Sequence, residues 1–379
     1  MIVPKQSLRQ LDWAILGSVL LLCLGGILAI NSARHLDLHP FDLGRKQAAG
    51  VLLGGAVMIA LALCDYEVVL KRYAPYLYPL NLLLLLLVLT HFAGHEAKGA
   101  SRWIPLGPKS HPLIQIQPSE FAKIILICTL ALYLTRQSEM VGEWKIVLKS
   151  LAHIGVPMLL IAKQPDLGTA LVLLAIWFGM MAMAGARPAH LGLVLLAGVV
   201  LFAGLWYFNP GHVLKEYQKN RLQVFLNPDA DPRDTGYHLR QSEIAIGSGA
   251  IAGEGYERGT QSNGKFIPEQ HTDFIFTIVG EEGGFVVCAA LFALYLLLLE
   301  RGVAVMADCE DMLGRLLAAG VLSMLTFHIV VNAGMTMGIM PVVGVPLPFF
   351  SYGLSSLLVN LLAVGLLLSV AARKHRVMF

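Results

Sequence analysis

The feature that most constrains this chain of 379 residues is a series of apolar runs, each long enough to cross a membrane as a helix. A hydrocarbon core of about 30 Å requires about 20 helical residues. The charged fraction is only 14%, against about 25% in soluble domains. We therefore predict an all-α, polytopic integral membrane protein with about ten transmembrane helices. The predicted spans are roughly 13–30, 48–64, 76–92, 119–134, 147–162, 168–184, 191–207, 274–299, 313–337 and 354–371.

Ten spans would place both termini on the same side of the membrane. Basic residues cluster on that side, for example at Lys71, Arg72 and Arg301 and at the C-terminus, so the positive-inside rule predicts cytoplasmic termini. The fifth span contains Pro157 and is expected to be short or kinked. Most connections are short, which indicates a single membrane domain over 1–379.

Two connections on the opposite side are long, 94–118 and 209–272. Within the longer one, between spans 7 and 8, the pattern of 237–246 predicts a short amphipathic or re-entrant helix at the membrane surface. The glycine-rich stretch 247–255 that follows has two interpretations. It is either a flexible turn or, because irregular backbone near membrane depth must line a cavity or be covered by protein, the wall of a groove.

Charged residues at the start of the fourth span are costly in a membrane. Glu120 could satisfy free amides at the helix start, three residues after Gln117. Lys123 lies about one turn deeper and shares a face with Glu120. We expect the two to form an ion pair that lines a cavity, whether its role is chemical or only structural. At the sixth span, Asp166 is expected to cap the helix, and it could also pair with Lys98, Arg102 or Lys163.

Asp273 follows a polar string and stands where the apolar eighth span begins. It could cap that helix, or it could act as a general base at the membrane surface. Glu281 and Glu282 follow deeper in the same span, so we expect a column of carboxylates for proton handling or for buried pairs with Lys123. Cations in the outer connections could hold a pyrophosphate; they are Lys98, Arg102, Arg221, Arg240 and Arg258.

Several strings of this chain together resemble the SEDS family of bacterial wall synthesis. They are KGASRW (98–103), QPSEFAK (117–123), QPDLGT (164–169), GYHLRQS (236–242), HTDFIF (271–276), GEE (280–282) and SYG (351–353). The strings IGSG (246–249), GTQS (259–262) and PVVGVPLP (341–348) resemble its elongation branch more than its division branch. Leu354 and Ala250 depart from the family pattern where glycine is usual, which affects local loop shape.

The resemblance implies that the protein polymerises lipid II into glycan strands. Asp273 would be the base that takes the proton of the acceptor hydroxyl, and Glu120 and Lys123 a functional pair in a central cavity. Since the donor bond is alpha and the product beta, one direct displacement predicts inversion. Basic side chains, with or without a divalent cation (Mg²⁺ or Mn²⁺), would stabilise the leaving pyrophosphate. The predicted substrate-binding residues are Lys98, Arg102, Asp166, Arg221, Arg240, Gln241, Ser242, Arg258, His271, Thr272 and Glu281.

The resemblance also implies a bacterial cytoplasmic membrane location and a class B penicillin-binding protein, a transpeptidase, as partner, beside other membrane proteins of the elongation complex. No nucleic-acid partner is expected. Two other functions stay open at this point. A lipid II flippase would use a similar helical body with cavity-facing ion pairs, and a scaffold would only recruit the transpeptidase. The boundary position of Asp273, away from the midplane sites of transporters, favours chemistry.

Overall fold

The structure is a computed structural model that describes residues 11–34, 36, 41–90, 95–97, 100–106, 114–208, 216–227, 231, 235–264, 266–267 and 269–373. Helices dominate these residues. They are α1 (Trp13–Ala33), α2 (Asp42–Leu63), α3 (Tyr66–Leu89), α4 (Pro118–Arg136), α5 (Trp144–Lys163), α6 (Leu167–Met183), α7 (Pro188–Phe208), α8 (Glu216–Leu226), α9 (Thr235–Ser248), α10 (Thr260–Asn263), α11 (Ile275–Asp308), α12 (Met312–Thr336) and α13 (Leu354–Ala371).

Ten of these helices correspond to the ten predicted spans, which confirms the predicted membrane architecture. Within the described part of the chain, nine are long and apolar enough to cross a membrane, and α6 is a shorter apolar helix of 17 residues. Of the two expectations for the fifth span, a short helix is wrong, and a kink stays a prediction. Helix α5 has 20 residues and includes Pro157 in its interior.

The connection between α3 and α4 contains a small sheet that the all-α prediction missed. Its strands β1 (His95–Ala97), β2 (Ala100–Leu106) and β3 (Ile114–Ile116) are antiparallel in the order β1-β2-β3. Strand β3 ends just before α4 begins, so the sheet is attached directly to that helix. Strand β2 carries Arg102 and Trp103 to the cavity described below.

The core of the molecule lies where α4, α12 and α13 meet. Over 70% of the apolar stretch of each is buried inside the protein, whereas none of the stretch in α7 is. Helix α7 contacts the rest of the body mainly through α6. Aliphatic side chains fill the core, and apolar side chains of the peripheral helices face outward, as expected for a protein surrounded by lipid.

Contacts at the helix ends define two opposite faces. On the first, which we call the basic face, Arg301 pairs with Asp12 at 2.6 Å. Arg373 donates to the main-chain oxygens of Ala62 and Leu63, at 3.2 and 2.8 Å, and so satisfies free carbonyl groups at the end of α2. Both described ends of the chain therefore lie on the basic face. The opposite face, where α4, α6, α11 and α13 begin, is called the cavity face.

Helix α11 is interrupted near the cavity face. Gly284 adopts φ 62° and ψ −165°, a conformation that L side chains rarely adopt. The glycine-rich stretch lies against this break and replaces the missing helical hydrogen bonds by exchanging four with it. The N–H groups of Glu254 and Gly255 donate to the main-chain carbonyls of Glu281 and Glu282 at 2.9 and 3.0 Å. Those of Phe285 and Val286 donate to the carbonyls of Ala250 and Ile251 at 2.9 and 3.2 Å.

The long connection contains a short helix, α9, over the stretch predicted to be helical, and it packs against α11 and α12. Its amphipathic or re-entrant character stays a prediction. The stretch 247–255 forms hydrogen bonds with α11, and none of its residues lines the cavity described below; its two interpretations stay predictions.

Candidate functional site

A cavity of about 690 Å³ opens on the cavity face. Helices α2, α4, α6, α8, α12 and α13, strand β2 and the segments before α11 and α13 contribute to its wall. Charged and polar groups dominate the lining. The side chains that matter below are Lys46, Arg102, Gln117, Glu120, Asp166, Arg221, His271, Thr272, Asp273, His328 and Tyr352.

Asp273 lies in the wall of this cavity and is partly exposed. It precedes α11, whose N-cap residue, Phe274, makes no side-chain capping hydrogen bond. Its carboxylate lies beside Gly344, since a Cβ on that glycine would be 3.2 Å from Asp273 Oδ2 and 3.9 Å from Arg221 Nη1. A carboxylate and a guanidinium thus approach the same point of the wall.

Glu120 and Lys123 form the predicted ion pair, with 2.8 Å between Oε2 and Nζ. Lys123 is fully buried, and Glu120 is 4% exposed and reaches the cavity. The alternative of Glu120 as a helix cap is wrong, because the Gln117 N–H donates instead to the Ser355 hydroxyl at 3.1 Å. Lys123 Nζ also lies 3.4 Å from His328 Nε2. Three ionisable groups therefore meet at the floor of the cavity.

Asp166 caps α6, as predicted, by accepting from the Thr169 N–H at 3.1 Å. Its other oxygen accepts from the side chains of Gln117 and Thr169. Arg102 does not pair with it. Instead its Nε donates to the Gln164 carbonyl at 2.9 Å and Nη2 to the Pro165 carbonyl. The guanidinium is therefore anchored to the chain that enters α6, and Arg102 lines the cavity.

The other predicted cations have different positions. Arg221, on α8, lines the cavity, whereas Arg240 and Arg258 are exposed and do not. Lys98 lies outside the described residues. Lys46, on α2, lines the cavity and was not predicted.

Three more predicted substrate-binding residues, Gln241, Ser242 and Glu281, also do not line the cavity. Ser242 is buried and donates to the Thr336 carbonyl at 2.6 Å, which ties α9 to the end of α12. Glu281 is buried and accepts from the N–H groups of Gln261 and Ser262, at 2.5 and 2.9 Å, so it holds the start of α10.

The predicted buried pairs of Glu281 and Glu282 with Lys123 are wrong. Glu282 accepts from the Ser32 hydroxyl at 2.5 Å, and Glu281 binds the start of α10. Lys123 makes its ion pair with Glu120 in the described part of the chain. Residues of α1 and α10 thus provide the two carboxylates with separate partners, and a role in proton handling stays a prediction.

His271 and Thr272 line the cavity beside Asp273. The His271 carbonyl accepts from the Tyr352 N–H at 2.8 Å, and the two rings lie 5.7 Å apart. Burial raises the pKa of Tyr352, partly offset by Arg34, so its hydroxyl is a neutral donor at physiological pH.

Among the described residues, no three His, Cys, Asp or Glu side chains converge in a way that could hold a metal ion. The described side chains therefore do not fit a divalent cation held by protein ligands alone. The positive charge on the cavity wall comes from Lys46, Arg102 and Arg221.

Two polar residues of α12, His328 and Asn332, were missed by the sequence analysis. His328 lines the cavity, and Asn332, one turn further, donates to main-chain oxygens of Asp273 and Val345. The signal was present, since His328, Asn332 and Thr336 recur every four residues in an apolar span and so share one face.

Fold and site together define a polytopic membrane protein with a charged cavity at one membrane surface, where a lipid-linked polar group could enter. The sequence model of a family described as "Cell cycle protein", which covers FtsW, RodA and SpoVE, matches residues 9–376. The chain belongs to this family, the SEDS family that its motifs resemble.

Known relatives cover nearly the whole chain. The peptidoglycan glycosyltransferase MrdB of Escherichia coli K12 is 36% identical over 97% of this chain and 95% of MrdB. A solved structure described as "Structural coordination of polymerization and crosslinking by a peptidoglycan synthase complex" is similar with a TM-score of 0.80 and 33% identity, covering 97% of this chain and 99% of that one. The rod shape determining protein RodA of Thermus thermophilus has a TM-score of 0.70 and 30% identity, covering 97% and 98%.

Proposed function

We propose that this protein is a peptidoglycan glycosyltransferase that polymerises lipid II, with Asp273 as general base. The observation that carries the proposal is the position of Asp273. Its carboxylate lies in the wall of a cavity that also presents Lys46, Arg102 and Arg221. A base and a set of cations are what a displacement with an anionic leaving group requires. The activity named for MrdB, over nearly the full chain, supports the same conclusion.

The reaction is a single displacement. Asp273 takes the proton of the acceptor GlcNAc 4-hydroxyl as its oxygen attacks the anomeric carbon of the donor MurNAc. The bond from that carbon to the pyrophosphate breaks, and the electron pair leaves with undecaprenyl pyrophosphate. The anomeric centre inverts, and no covalent glycosyl enzyme forms.

The cations of the wall stabilise the charge that develops on the leaving group. A guanidinium has five N–H donors, and Arg102 uses two of its nitrogens on carbonyl groups, so it keeps donors for phosphate oxygens while its position is fixed. Arg221, on α8, approaches the same point of the wall as Asp273. Glu120, Lys123 and His328 form a rigid polar floor on which the sugar hydroxyls can be oriented.

The direction of the protein in the membrane follows from charge. Beside Arg301 and Arg373, the basic face carries Lys71, Arg72 and Arg136 near helix ends, which under the positive-inside rule supports a cytoplasmic position for this face and for both termini. The cavity then faces outward, where the polar part of lipid II must be joined.

The strings 246–249, 259–262 and 341–348 support a role in elongation. The likeness to the rod shape determining protein RodA agrees, whereas the family model covers both branches. A class B penicillin-binding transpeptidase fits as partner, because the similar solved structure concerns a peptidoglycan synthase complex that couples polymerization and crosslinking. Other membrane proteins of the elongation complex would join the two.

The test is incubation of purified protein with lipid II, alone and with the transpeptidase, with glycan chains as readout. Asp273→Asn should abolish polymerisation, because the amide is nearly isosteric but cannot take the proton. Asp308→Asn is the matched control, since Asp308 is the last residue of α11, exposed at the other end of the helix, and should polymerise normally.

Two results would contradict the proposal. Unchanged glycan yield from Asp273→Asn would reject the base. Movement of lipid II between leaflets by the wild-type protein, without any glycan, would favour a flippase.

A further inference from the structure

We propose that Asn332 is the positioning residue for Asp273, an inference that rests on the proposed function. Asn332 lies in the buried helix α12 and is 0% exposed. Its Nδ2 donates to the Asp273 carbonyl at 2.9 Å and to the Val345 carbonyl at 2.7 Å. A side-chain amide has two N–H donors, so both are used.

The orientation of this amide is determined by its partners. Both neighbours are carbonyl oxygens, which can only accept, so a flipped amide would set three oxygens together. The Oδ1 atom is buried and has no hydrogen-bond partner among the described residues. Among the described residues, the Asn332 side chain therefore acts through its two N–H donors, which join two main-chain segments.

Asp273 needs such an anchor because it stands outside the regular part of α11. The helix begins at Ile275, and the N–H of Asp273 donates back to the Glu269 carbonyl at 3.2 Å. The contact from Asn332 ties the carbonyl side of Asp273 to the buried helix α12.

The second segment held by Asn332 forms the surface against which the base lies. Val345 follows Gly344, whose φ is 72° and on which a Cβ would lie only 3.2 Å from Asp273 Oδ2. One amide therefore fixes both the main chain of the base and the wall beside its carboxylate. This arrangement sets the distance between them.

Helix α12 is itself well fixed at this level. One turn away, His328 contacts Lys123. One turn in the other direction, the Thr336 hydroxyl donates to the Asn332 carbonyl at 3.1 Å, and the Thr336 carbonyl accepts from Ser242. Asn332 thus connects the fixed helix α12 to the main chain of the cavity wall.

The proposed role predicts a loss of rate and not of binding. A displacement of about 1 Å in a reacting group can cost about 10²-fold, whereas the cations and the cavity floor that bind lipid II do not depend on Asn332. In Asn332→Leu, which keeps the approximate volume, kcat should fall about 10- to 100-fold. KM for lipid II should change less than about threefold.

The matched control is Asn81→Leu. Asn81 is 1% exposed in α3, and both atoms of its amide are buried without a hydrogen-bond partner among the described residues. It makes the same chemical change at a buried site that does not contact Asp273, and kcat should stay at the wild-type value.

Binding is measured without turnover in the Asp273→Asn background, where the Kd for lipid II should be the same within about threefold with and without Asn332→Leu. A structural defect would weaken binding and lower Tm together, and that result would overturn the positioning role. A kcat of Asn332→Leu equal to that of Asn81→Leu would overturn it as well.

If Asn332→Leu does not accumulate as folded protein, Asn332→Thr replaces it, because a threonine hydroxyl in a helix can bond to the preceding turn and is too short to bridge both carbonyls. Wild-type kcat from that variant would refute the role. A wild-type protein that makes no glycan would instead refute the proposed function, so the two failures are distinguishable.

Discussion

Removal of the lysine of the buried pair should destabilise the protein far more than removal of an exposed lysine. In Lys123→Met, the shape of the side chain is kept while Glu120 loses its partner at 2.8 Å. Breaking a buried pair costs about 3 to 5 kcal/mol. We expect about 3 kcal/mol, because Glu120 reaches the cavity and water can relieve part of its charge.

That free energy converts into a measurable shift of the unfolding temperature. An unfolding entropy of about 2.1 cal/mol/K per residue, over 379 residues, turns about 3 kcal/mol into a Tm lower by about 4 °C. The assay is thermal unfolding of the detergent-purified protein. The double variant Glu120→Gln with Lys123→Met should recover most of the loss, since no uncompensated charge is left.

The control is Lys71→Met. Lys71 pairs with Glu67 at 2.6 Å, but its side chain is 62% exposed, and exposed pairs contribute about 0 to 1 kcal/mol. Its Tm should fall by about 1 °C or less. Equal Tm shifts for Lys123→Met and Lys71→Met, or a double variant less stable than Lys123→Met, would refute the argument that burial sets the cost.

Three further outcomes follow from local geometry. Gly344→Ala should slow polymerisation, because φ at 72° strains an alanine and its Cβ would press on Asp273; wild-type kinetics would contradict this. Gly284→Ala should lower Tm, since its Cβ would lie 2.4 Å from the Gly253 nitrogen. An unchanged Tm would show that the break in α11 tolerates a side chain. Burial raises the pKa of Cys309 to about 11, so the folded state keeps a proton that the unfolded chain releases above its own pKa of about 8.5. The stability from this group is complete below about pH 8.5 and lost toward pH 11; thermal unfolding of Cys309→Ala and wild type across this range would show the difference, and parallel pH profiles would exclude it.

The membrane helices were predictable because a run of about 20 apolar residues has few other uses. Their ends were less so. Helix α2 begins at Asp42 and α3 at Tyr66, earlier than the apolar runs, because main-chain hydrogen bonds continue into polar turns at the membrane surface. The three-stranded sheet was missed because its strands are short and lie in a connection without a clear alternating pattern.

The site was predictable where a charged residue in a membrane helix carries a high desolvation cost. Glu120 and Lys123 were found because a membrane helix tolerates such groups only when they are paired or hydrated. His328 and Asn332 were missed because neither carries a fixed charge, although their spacing of four residues places them on one face of α12. The hydrogen-bond partners of Glu281 could not be predicted, because they lie in a loop segment whose return to α11 the sequence does not indicate.

The exchange of hydrogen bonds at Gly284 has a consequence for the order of assembly. The outer turns of α11 are completed by main-chain groups of residues 250–255, which are synthesised before the helix itself. Domains form from the N-terminus during synthesis, so the segment that completes the helix has already been synthesised when α11 enters the membrane. A circular permutation that placed 250–255 after α11 would keep every contact of the mature fold but would leave those turns unfinished during insertion.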